Sequence, residues 1–147
     1  MSTDLWGFKN ERELEKYVVD IPETILKEQM DYLGEKTGYN IYGTCSLMRI
    51  RNSEIGYDIA TVFELMVPAL DKYRKTLLIV YSKPESAYPV AITVGHSYEE
   101  DMEMFNPQCT CNNTEEFSKE LGKILQSSDT LNLIAVLYAK AKSINNE

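Results

Sequence analysis

The sequence predicts an α+β domain: a mainly antiparallel four-stranded sheet flanked by helices, in the order α-α-β-β-β-β-α-α. Three observations carry this expectation. Apolar residues recur with a helical period near both ends of the chain, and they alternate with polar residues through the middle. No repeat, low-complexity run or Pro/Gly/Ser linker divides the chain, so 1–147 reads as a single domain.

A short helix is expected over residues 11–19, with Leu14, Tyr17 and Val18 on one side and Trp6 and Phe8 anchoring the segment before it. A stronger helix runs over 21–36. Asp20 is its expected cap, Glu23 completes a capping-box pattern, Pro22 is tolerated in the first turn, and Gly38 supplies the stop. Ile25, Leu26, Met30 and Leu33 form its narrow apolar stripe.

From Tyr39 the period changes to alternation. Residues 39–51 and 57–67 read as two strands joined by a turn centred on Glu54, a register that sets Cys45 opposite Phe63, Gly43 opposite Leu65 and Leu47 opposite Thr61. Ile41, Cys45, Leu47, Ile59, Phe63, Leu65 and Val67 then share the face expected to lie under helices. The opposite face is also rich in apolar side chains, among them Tyr42, Met48, Val62 and Met66, with Asp58 and Glu64 as its only charges.

Pro68 ends the second strand. The third, 75–81, carries the run Leu77-Leu-Ile-Val-Tyr81, apolar on both sides as in a central strand. The fourth, 88–94, follows a turn over 82–87, with Val80 expected beside Val90, Leu78 beside Ile92 and Ile79 beside Ala91. Asn113 and Glu116 repeat the capping-box pattern before a helix whose buried stripe is Phe117, Leu121, Ile124 and Leu125. The last segment, from Thr130 to about Ser143, carries Leu131, Ile134, Leu137, Tyr138 and Ala141 on one side. The run 131–138 alone would also suit a strand; its length and the Ala-Lys-Ala-Lys142 continuation favour helix.

The formal charge of -8, from 15 basic and 23 acidic residues, opposes partners whose affinity comes from neutralised phosphates, so neither nucleic acid nor an anionic membrane is expected. No apolar stretch approaches the ~18 residues of a membrane span, and the first residues lack the basic and apolar regions of a signal peptide; a cytoplasmic protein is expected. Cys45, Cys109 and Cys111 make no disulfide framework and are expected to be reduced.

Chemistry-bearing motifs are sparse. His96 is the single histidine, and its neighbours form no nucleophile motif. Cys109, Cys111 and His96 offer soft metal ligands, yet one tight Cys-x-Cys pair lacks the second knuckle of a structural zinc site. The acidic run Glu99, Glu100, Asp101 and Glu103 lacks the alternating carboxylates and central glycine of a calcium loop, and its Met102, Met104 and Phe105 suit a flexible contact element. Asp58 and Glu64 lie about 20 Å apart along one strand, too far for a glycosidase pair, so ion pairs with Arg49, Arg51 or Lys75 are expected instead. No glycine-rich phosphate loop occurs. No catalytic, metal or cofactor residue is therefore assigned, and no cofactor is expected.

The order of helix, two hairpins and two helices, with the strings Pro68-Ala-Leu-Asp-x-Tyr73 and Tyr88-Pro-Val90, resembles small bacterial proteins, a likeness that implies no activity. The reading that follows is a non-enzymatic protein-protein interaction or regulatory module, including the inhibitor or immunity-type proteins. Its expected surface is the sheet face of Tyr42, Met48, Val62 and Met66, meeting a protein partner or a second copy in a homodimer. The competing expectation is a small enzyme or a ligand- or metal-binding domain with a site near His96, Cys109 and Cys111.

Overall fold

A computed structural model describes residues 2–18, 20–95 and 107–145. Its elements are α1 (Glu11–Glu15), α2 (Pro22–Lys36), β1 (Tyr42–Arg49), β2 (Ile59–Val67), β3 (Tyr73–Lys83), β4 (Ser86–Val94), β5 (Cys109–Cys111), α3 (Thr114–Leu125) and α4 (Ser128–Asn145). The α+β architecture matches the expectation, with one strand more. The antiparallel sheet has five strands in the order β1-β2-β3-β4-β5, a meander in which each strand pairs with its neighbours in sequence. Three residues are too few to display alternation, so β5 has no signal of its own. Its order comes from the edge of β4, where Ile92 pairs with Cys109 and Val90 with Cys111.

Between β1 and β2 the pairing is the one the alternation predicts: Cys45 opposes Phe63, Gly43 opposes Leu65 and Leu47 opposes Thr61. Between β3 and β4 it is displaced by two residues. Leu78 pairs with Val94, Val80 with Ile92 and Ile79 with Thr93, because between the Lys83–Ser86 pair at the turn and the Tyr81–Ala91 pair β4 carries Ala87, Tyr88, Pro89 and Val90 against Ser82 alone in β3. A shift of two keeps every side chain on its expected face, since the strand period is itself two.

An irregularity beside Phe63 and Glu64 inserts Leu77 into β3: Phe63 pairs with Leu78 while Glu64 pairs with Thr76. As in a bulge, consecutive residues come to one side. Leu77 and Leu78 both enter the helix-side core. Beyond this point Arg74, not Lys75, shares the face of Glu64, and it forms the 4.0 Å ion pair that the sequence assigned to Lys75 or to Arg49 and Arg51.

The helix-side core is built from Phe63, Leu65, Leu78, Val80 and Ile92 of the sheet together with Leu26 of α2, Phe117, Leu121 and Ile124 of α3 and Leu137 and Ala141 of α4. At Gly43, α2 approaches β1 so closely that a Cβ there would lie 2.8 Å from Met30 Cγ. The Thr37 hydroxyl donates to the Leu33 carbonyl at 2.9 Å and accepts from the Ile41 N–H at 3.2 Å, tying the end of α2 to the approach of β1.

The caps divide. Asn113 Oδ1 accepts from Glu116 N–H at 2.9 Å while Glu116 Oε2 accepts from Asn112 N–H at 2.7 Å, and Asn10 with Glu13 repeats this arrangement on α1. Asp20, the expected cap of α2, is not one. Ile21 occupies that position without a side-chain bond, Pro22 follows in the first turn, and the Asp20 carbonyl instead accepts from Tyr88 Oη and Thr114 Oγ1.

The last segment is a helix, as its length implied, but rotated from the expected stripe. Thr130, Leu137 and Ala141 are buried, whereas Leu131 and Tyr138 are exposed. Thr130 sets the rotation: its hydroxyl donates to the Ile124 carbonyl at 2.8 Å and its N–H donates to Ser127 Oγ at 3.2 Å. The first helix stops at Glu15, short of the expected range. Among the described residues no helix is long and apolar enough to cross a membrane.

Candidate functional site

The face opposite the helices has a small core of its own. Ile50 and Ile55, from the connection between β1 and β2, join Ala60, Val62, Ile79, Tyr81 and Ala91, with Tyr57 packed against them. The connection holds this course through a 3-10 turn over Ser53–Ile55, where Asn52 Oδ1 accepts from Glu54 N–H at 3.0 Å. Part of the face read from the sequence as a single exposed patch is therefore interior.

The four expected surface residues separate accordingly. Tyr42 and Met66 are cross-strand partners, Met48 opposes Ala60 and Ser46 opposes Val62, so all four lie on one face. Val62 is buried with 5% exposure, Met66 is half-buried, and Tyr42 and Met48 are exposed.

The helix-side face of β1 is likewise incompletely covered. The expectation placed Cys45, Leu47 and Ile59 under helices with Ile41, Phe63, Leu65 and Val67; the last four are buried and Ile59 is half-buried, while Cys45 is exposed and Leu47 is 65% exposed. Alternation assigns a face but not the reach of the helix above it, and α2 meets β1 near Gly43. Leu47 borders a shallow hollow with Arg49, Asp58, Ile59, Pro84 and Glu85.

β1 is an outer strand of the sheet. The Ile50 N–H donates to the Asp58 carbonyl at 2.8 Å, which directs the peptide groups of the even-numbered residues of β1 toward β2. Because these groups alternate along an antiparallel strand, those of Cys45, Leu47 and Arg49 point away from the sheet. Edge strands in folded proteins are usually blunted by lysine, proline, a bulge or extreme shortness. β1 has eight residues, no lysine or proline, and continuous pairing with β2.

Of the alternative site near His96, Cys109 and Cys111, the described residues include the two cysteines. Cys109 and Cys111 lie on one side of β5 with their sulfurs 4.0 Å apart. Cys111 is fully buried, and burial, followed by the neighbouring Cys109 sulfur, pushes its thiol up to about 12. Burial also pushes the Cys109 thiol up. Among the described residues no group of three or more His, Cys, Asp or Glu side chains is placed to hold a metal ion. His96 and the acidic run Glu99 to Glu103, with Met102, Met104 and Phe105, lie outside the described residues.

A crevice of about 210 Å³ opens between α2 and α4 over Phe63, Leu65 and Leu77. It is below the roughly 300–1,000 Å³ of pockets that enclose small molecules. Comparison with family models, with curated proteins and with solved structures finds no match to this chain.

Proposed function

We propose that this chain is a non-enzymatic protein-binding module of the regulatory or inhibitor kind, engaging its target through β1 and the adjoining open face of Tyr42, Met48 and Met66. The observation that carries the reading is the exposure of apolar side chains on both sides of one outer strand: Leu47 at 65% and Met48 at 42%. Strand addition to such an edge gains affinity from backbone hydrogen bonds and specificity from alternate side chains. The formal charge of -8 favours a protein target over nucleic acid, and three free cysteines suit a reducing, cytoplasmic setting.

The test is affinity purification from the native host with wild-type bait and with Met48→Asp bait, after which the recovered protein is purified and titrated against both. The reading expects direct binding by the wild type and a loss of about tenfold or more in the variant. Equal affinities, with both baits equally folded, would remove β1 and its face as the binding surface.

A further inference from the structure

We infer that β1 is self-complementary and joins its counterpart in a second copy of this chain, edge to edge and antiparallel about a two-fold axis through Leu47. The inference rests on reading β1 as a recognition strand, and it adds the occupant and the register.

The exposed run of β1 extends from Cys45 to Arg49 beyond the part that α2 approaches, and Leu47 stands at its centre. An antiparallel pair centred on Leu47 sets Leu47 opposite the partner's Leu47, and Cys45 opposite the partner's Arg49. In this register every outward peptide group of Cys45, Leu47 and Arg49 meets an outward group of the other copy. Displacing the pair by one residue would set these groups against the inward-bonded ones and leave them unmade. A two-fold interface demands this kind of self-match.

The side chains agree with the backbone. On the helix side Leu47 meets its own copy, removing from water the most exposed apolar side chain of the strand. On the open side Ser46 lies across from the partner's Met48. Arg49 is the single charged residue of β1, and it faces the partner's Cys45, so like charges are not brought opposite each other.

Two measurements test the inference together. Sedimentation equilibrium of the full chain should show a concentration-dependent monomer-dimer equilibrium, weakened about tenfold or more by Leu47→Lys, a change that leaves an exposed position exposed. In a Cys45→Ser background, Leu47→Cys should give a disulfide-linked dimer on mild oxidation. Directly opposed residues exchanging both hydrogen bonds have Cα atoms about 5.5 Å apart, within disulfide range. Cys45→Ser alone should not cross-link.

A monomer at every concentration, with no cross-link through Leu47→Cys, overturns the inference. So does a dimer indifferent to Leu47→Lys. Either result leaves target binding to be decided by the Met48→Asp titration, so the failure of one reading is distinguishable from the failure of the other.

Discussion

The Thr114 hydroxyl donates to the Asp20 backbone carbonyl at 2.9 Å across 94 positions of sequence, joining the first turn of α3 to the entry of α2. Tyr88 Oη, from β4, donates to the same carbonyl at 3.1 Å. One backbone oxygen thus holds together two helices and the sheet. Thr114→Val and Tyr88→Phe should each cost about 0.5–1 kcal/mol in urea denaturation, a modest loss because the exposed carbonyl can turn to water.

Gly43→Ala is expected to destabilise more, by about 1–3 kcal/mol. Its new methyl group would meet Met30 Cγ at 2.8 Å and Phe63 Cζ at 3.2 Å, between α2 and the sheet. Thermal unfolding of the purified variant checks this. An unchanged midpoint would mean that α2 lies farther from β1.

Val62→Asp and Met48→Asp should diverge although both residues lie on one sheet face. Val62 is buried against Ile50, Ile55 and Ile79, so an aspartate there places a carboxylate in an apolar cluster, and loss of the folded state by circular dichroism is expected. Met48 is 42% exposed, and its variant should melt within about 0.5 kcal/mol of wild type.

The divergence marks the limit of what alternation reveals. The pairing of β1 with β2 was legible because side chains on both strands change face with each residue, and the capping pattern of Asn113 and Glu116 was legible because it is local. Three features were not. The covering of Val62 depends on the path of the connection that carries Ile50 and Ile55 back over the sheet. The exposure of Leu47 depends on where α2 leaves β1. The role of the Asp20 carbonyl depends on partners 68 and 94 positions away, beyond any local pattern.

Alkaline solution should weaken the fold. The buried Cys111 thiol stays protonated in the folded chain up to about 12, whereas the unfolded chain ionises it near the ordinary 9.0. Above 9.0 the unfolded state binds fewer protons than the folded one, so stability falls as pH rises and this contribution levels off near 12. Burial pushes Tyr57, Tyr81 and Tyr88 up as well, which adds in the same direction at higher pH. Urea midpoints measured upward from pH 9.0 should decline, and Cys111→Ala should flatten the first part of that decline.

The central claim is that β1 is an open recognition edge, and residue-resolved amide hydrogen exchange tests it most directly. In dilute protein Cys45, Leu47 and Arg49 should exchange rapidly while Ser46 and Met48, bonded to β2, are protected; raising the concentration should slow the first three. Equal protection of all five amides in dilute protein, or no slowing of Cys45, Leu47 and Arg49 under any condition that adds a binding partner or a second copy, would contradict it.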